Sequence, residues 1–200
     1  MTDNILQRWQ ISADELTEII DENPSLRGFL AGYVAEYKVR RVWFSPPKVE
    51  ESQKPDDHDR GEKCDLIVSY RGHRFRIEVK SLQTNSIRDA GEGKYGRFQC
   101  DASDKREVVL PNGKKVSTTC LKVDEFDVVA VNLYAFNGRW EYAFARNRDL
   151  PRTSHRAYTK YQRQHLLASL VPVTWPLEPP FRPEPYSLLD EIIQEREQAG

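Results

Sequence analysis

A chain of 200 residues can close one full hydrophobic core, and its simplest organisation is a single domain with additions. Charged residues make up 30% of it and the mean hydropathy is −0.71, with no apolar run near the roughly 20 residues of a spanning helix; an integral helical membrane protein is excluded. The start, Met1-Thr2-Asp3-Asn4, is not a basic segment followed by an apolar one, so no secretory signal is expected. Cys64, Cys100 and Cys120 form no C-x-x-C pair and read as reduced thiols, which points to a cytoplasmic protein. The net charge of −1 decides nothing about a nucleic-acid partner; its distribution does.

The first predicted helix covers 12–22, opened by a Ser12–Glu15 capping box. The second covers 24–41, with Asn23 as N-cap and Pro24 in the first turn. Leu26, Phe29, Leu30, Tyr33, Val34 and Tyr37 keep helical spacing and are expected to face the core. Glu36 projects near that face and admits two readings, a ligand of a shared metal site or a rim carboxylate hydrogen-bonded to backbone. Val42-Trp43-Phe44 is predicted as a short strand. Residues 45–63, with Pro46, Pro47, Pro55 and the run Asp56-Asp57-His58-Asp59, read as a long exposed loop whose acids are solvated.

The stretch 64–70 alternates as a strand and 73–80 as its partner, joined by Arg71-Gly72. If Tyr70 pairs with His73, Leu66 opposes Ile77 and Asp65 opposes Glu78. One face is then apolar (Leu66, Val68, Tyr70, Phe75, Ile77, Val79). The other carries Asp65, Ser69, Arg74, Arg76, Glu78 and Lys80. Directly opposed like charges destabilise a sheet, so the Asp65–Glu78 pairing calls for a cation between the two.

Residues 81–99, rich in glycine and polar residues, show no clean period and read as a loop. Arg88, Lys94 and Arg97 there are candidate substrate contacts. A hairpin is predicted around Pro111-Asn112-Gly113, a central strand over 125–136, and a further hairpin turning at Asn137-Gly138. Asp127 is expected to bond backbone at a strand end. A helix is predicted over 153–170, with Arg156, Lys160 and Arg163 along one face, either a phosphate-contacting surface or a solvated stripe. Six prolines in 172–185 imply an extended strap. Ser187 then caps a short helix whose Leu188, Leu189, Ile192 and Ile193 either pack back on the domain or mediate self-association. The domain is expected over 1–175 and the strap with its helix over 176–200.

An acid on one strand followed by Glu-x-Lys on the next resembles the PD-(D/E)XK nucleases, the restriction-endonuclease-like superfamily. Asp65 matches the first acid, Glu78-Val79-Lys80 the E-x-K element, and Glu36 the glutamate of the preceding helix; Cys64 stands where the family often has proline. The resemblance implies an α/β fold with a central mixed β-sheet of about five strands flanked by helices. It also implies a Mg2+-dependent DNA endonuclease serving restriction, phage defence or repair, with Mn2+ able to substitute. In this reading Asp65, Glu78 and the Val79 carbonyl hold the metal, Lys80 orients or deprotonates water, and Glu36 joins them. Arg74, Arg76, Arg97, Arg156, Lys160 and Arg163 contact nucleic acid, duplex DNA is the partner, and a homodimer would supply two sites for a double-strand break. The other readings are a non-catalytic nucleic-acid-binding module or subunit of the same fold and a self-associating scaffold.

Overall fold

The computed structural model describes residues 4–55 and 64–199, so the acidic run at 56–59 lies outside the described residues. The chain divides into two compact units, split between Val34 and Ala35.

The first unit is helical. Helix α1 (Ile5–Trp9) opens on an Asn4–Gln7 capping box and α2 (Ala13–Glu22) on the expected Ser12–Glu15 box, whose Ser12 hydroxyl accepts from the Glu15 N–H at 3.1 Å. Helix α3 (Pro24–Val42) starts in this unit and runs into the second. Its Leu26, Phe29, Leu30 and Tyr33 are exposed rather than in the core, and so is Tyr37. Helical spacing fixes that such residues share a face, not what covers it. No strand follows: α3 continues through Val42, and 43–50 is turns and bends.

The second unit is built on a five-stranded mixed sheet. Its strands are β1 (Glu51–Gln53), β2 (Leu66–Tyr70), β3 (His73–Ser81), β8 (Val128–Asn132) and β9 (Tyr142–Arg146), adjacent in that order. β3 and β8 run parallel and every other pair is antiparallel. Short β1 falls within the stretch read as loop, because it finds the edge of β2 to pair with. On one face Leu66, Val68, Phe75, Ile77, Val79, Val128, Ala130 and Phe144 meet Ala35 and Val39 of α3 and Leu188, Leu189, Ile192 and Ile193 of α6 (Tyr186–Ala199). The last helix therefore packs back on its own unit. Its start is held by Glu184, which accepts from the N–H groups of Tyr186 and Ser187, so Ser187 is inside the helix and not its cap.

On the other face Val129, Val131, Ala143 and Ala145 meet a second antiparallel sheet and the one-turn α4 (Tyr134–Asn137). That sheet holds β4 (Arg88–Ala90), β5 (Gly93–Gln99) and β10 (Leu170–Trp175), with β5 in the middle. The hairpin expected around Pro111-Asn112-Gly113 is β6 (Asp101–Val109) with β7 (Lys115–Cys120), Val108 opposite Val116.

Four expectations fail here. The segment 81–99 is largely β4 and β5 and not loop; Gly93 marks a close approach, since a Cβ there would lie 2.2 Å from the Trp175 carbonyl oxygen. The strand expected over 125–136 is confined to Val128–Asn132, because α4 takes the chain away before β9 returns. The helix expected over 153–170 shrinks to α5 (Lys160–His165), opened by a Thr159–Gln162 capping box, and the end of that stretch enters β10. The proline strap begins as β10, with Pro172 opposite Arg97. Among the described residues no helix is long and apolar enough to cross a membrane.

Candidate active site

The predicted register holds from the turn to Leu66. Tyr70 pairs with His73 and Leu66 with Ile77, across a two-residue turn in which Arg71 (φ 50°) and Gly72 (φ 73°) are both left-handed. One step beyond Leu66, the Asp65 N–H donates to the Ile77 carbonyl at 3.1 Å. Asp65 Oδ2 accepts from the Val79 N–H at 2.6 Å. The aspartate thus bridges past the end of β2 and is fixed against the backbone of the Glu78-Val79-Lys80 segment.

Glu78 and Lys80 share a face of β3, and β8 sets Val129 beside Glu78 and Val131 beside Lys80. Both thus enter the side of the sheet that holds the second core. Glu78 is only 9% exposed, and its Oε1 lies 2.8 Å from Lys80 Nζ. Burial, then the charge of Asp65, push the Glu78 carboxyl up to about 7, while Lys80 pulls it back. Burial works against the Lys80 ammonium, but Glu78 and then Asp65 outweigh it and hold it protonated above its ordinary value.

Two neighbours carry no signal in the sequence. Glu125, buried in the loop before β8, adds to the negative charge felt by Glu78. Arg106 of β6 grips it with two guanidinium nitrogens at 2.5 and 2.7 Å, and the Lys122 N–H donates to it at 2.8 Å. At the head of an apolar run Glu125 reads as the first residue of a strand, and nothing local announces Arg106 as its partner. Cys100 lies beside Lys80; burial pushes its thiol up to about 12 against the pull of that lysine.

The remaining candidates are distributed. Glu36, on α3, meets Lys54 Nζ at 2.8 Å just beyond β1. Arg76 donates to the Asp124 carbonyl at 3.0 Å and lies 3.7 Å from Asp127. Asp127 accepts from the Arg76 N–H at 2.7 Å, the backbone role expected of it, and also binds Arg196. The Arg74 carbonyl accepts from Arg196 at 3.0 Å. Arg97 sits half-buried in β5. Lys160 and Arg163 line a shallow recess of about 350 Å³ with Arg152, Thr153, Ser154 and Gln164. Arg156 precedes α5 and is not among its lining residues, so the three basic residues do not form one helical stripe.

Asp65 and Glu78 are the carboxylates that could hold a hard divalent cation: Glu78 is buried, Asp65 half-buried, and the charge of Asp65 on Glu78 is what a cation would relieve. Mg2+ commonly takes one or two protein carboxylates, with water and phosphate oxygens completing its shell. Among the described residues no group of three or more His, Cys, Asp or Glu is arranged to hold a metal.

No family model matches the chain, and no curated protein does. Among solved structures it is similar to a bacterial homing endonuclease, I-Ssp6803I, at 15% identity over 68% of this chain and 86% of that one. The TM-score is 0.34, too loose a superposition to carry an argument.

Proposed function

We propose that the chain is a metal-dependent DNA endonuclease that hydrolyses phosphodiester bonds, on the PD-(D/E)XK plan and in restriction, phage defence or repair. One observation carries the reading: Glu78 is buried under the charge of Asp65, with Lys80 at 2.8 Å, on a strand whose neighbours on that side are valines. A fold gains little from burying such a cluster. Mg2+, or Mn2+ in its place, would be held by Asp65, Glu78 and the Val79 carbonyl, and would supply positive charge at the phosphoryl oxygens and a bound water of lowered pKa.

The chain's own groups do the rest. The Val79 N–H keeps Asp65 in one orientation, and burial keeps bulk water from Glu78. Lys80, held protonated, donates hydrogen bonds to the attacking water or to a phosphoryl oxygen; its raised pKa makes it a poor base. Glu36 would add a carboxylate to the metal site, and Arg74, Arg76 and Arg97 would contact the nucleic-acid backbone. The recess with Lys160 and Arg163, and Arg156 near it in sequence, would hold backbone phosphates through cations and hydroxyls. A homodimer would bring two such sites to a duplex. A non-catalytic nucleic-acid-binding module is the second reading, favoured by the Lys80–Glu78 ion pair, which neutralises the glutamate without a metal.

Cleavage of supercoiled and linear DNA with Mg2+, Mn2+ or EDTA tests this. Cutting that needs the metal and is lost in Glu78→Ala and Lys80→Ala is the expected result. Intact DNA under every condition, with duplex still bound at low salt, would overturn the catalytic reading in favour of the binding module.

A further inference from the structure

We infer that the N-terminal helices form the interface of a homodimer, α2 of one copy packing against the apolar stripe of α3 on the other. Residues 4–34 carry three helical segments, yet none of these residues is buried. Leu26, Phe29, Leu30 and Tyr33 follow i, i+3, i+4, i+7 spacing and are all exposed, Phe29 at 72%. Trp9 of α1 is 60% exposed, and Ile19 of α2 is exposed as well. An apolar helical stripe is covered in a stable protein, and aromatic residues of this kind anchor interfaces.

Area and charge both favour a second copy. At about 200 Å² per large side chain, the exposed parts of these six residues amount to about 600 Å². Two such patches together bury about 1,200 Å², the lower bound of a specific interface, before the stems of flanking residues are added. Helix α2 carries Asp14, Glu15, Glu18, Asp21 and Glu22 with no basic residue, whereas α3 carries Arg27, Lys38, Arg40 and Arg41 against Glu36 alone. Pairing α2 with α2 would set acids against acids and α3 with α3 cations against cations, while α2 on α3 pairs acid with base. Within one copy Arg27 already meets Asp21 at 3.5 Å and Glu15 is engaged in the Ser12 capping box, which leaves Asp14, Glu18 and Glu22 to face the partner's cations. A twofold axis makes the α2–α3 contact twice, as a closed dimer requires. The interface stands independently of the reading of Glu78 and Lys80.

Sedimentation velocity on the full chain at tens of micromolar tests the proposal. The wild type is expected at twice the 23.3 kDa chain mass. Phe29→Ser is expected to raise the dimer Kd at least about 30-fold, with the circular dichroism spectrum unchanged because the residue is exposed. High salt should weaken the dimer. A monomeric wild type would overturn the proposal, and so would a dimer that Phe29→Ser with Tyr33→Ser leaves intact.

Discussion

Phe75, Ile77 and Val79 leave β3 on one side and Arg76, Glu78 and Lys80 on the other; the first side is buried throughout, and the second is buried at Glu78. Glu78 is 9% exposed and Val79 8%, so a carboxylate is as deeply placed as its valine neighbour. The first face is apolar throughout, meeting α3 and α6 in a core where every side chain contributes by being removed from water. The second face sets a charged pair against a second core of leucines, valines, phenylalanines and alanines. Replacing a buried ion pair by apolar residues is often neutral or stabilising. One face of the strand is thus accounted for by folding, and the other calls for a use.

The contrast can be broken most severely at Phe75, which is fully buried on the apolar face. Truncation to alanine there should cost about 3–5 kcal/mol in chemical denaturation.

A smaller effect is expected at Lys80. Lys80→Met should destabilise by about 1–3 kcal/mol at neutral pH, because it leaves Glu78 buried without its cation. The cost should shrink near pH 5, where Glu78 takes up a proton instead; urea titrations at the two pH values measure the difference.

Glu78→Gln should be the mildest of the three in stability and the most damaging to function. It removes a buried carboxylate and deprives Lys80 of its ion partner, two effects of opposite sign, so denaturation should move by no more than about 1 kcal/mol at neutral pH. Cleavage should be lost.

The pH dependence sharpens the contrast further. Burial and Asp65 raise the Glu78 carboxyl from 4.5 in the unfolded chain to about 7, so between those values the folded state holds a proton that the unfolded state has lost. Stability from this group is complete below about pH 4.5 and falls as pH rises through the folded value, by at most about 1.4 kcal/mol per pH unit. Wild type should therefore lose stability relative to Glu78→Gln over that window. Parallel stability curves for the two proteins would show that Glu78 does not titrate above its unfolded value.

What the sequence makes legible follows the same division between local and distant causes. The β2–β3 register can be read because alternation and a two-residue turn fix it within one hairpin. The helix start at Ser12–Glu15 is equally local, and α3 begins at Pro24 as expected, but the Asn23 side chain donates to the Ile19 carbonyl at the end of α2 instead of capping α3. The strands β4 and β5 read as loop because their reason lies at Trp175, whose carbonyl leaves no room for a side chain at position 93. The helix expected over 153–170 gives way to β10, which pairs with β5 from the far side of the β6–β7 hairpin and most of the sheet. At the site, the nearness of Asp65, Glu78 and Lys80 follows from pattern alone. That of Glu125 and Arg106 does not, since 19 residues and a hairpin turn separate them.

The most direct test of the Glu78 face is calorimetric titration of the wild type and Glu78→Gln with Mn2+ in the absence of DNA. Binding by the wild type that is lost in the variant, with both proteins folded, is the expected result. Equal binding by the two, or none by either, would contradict the assignment of Asp65 and Glu78 as a cation site.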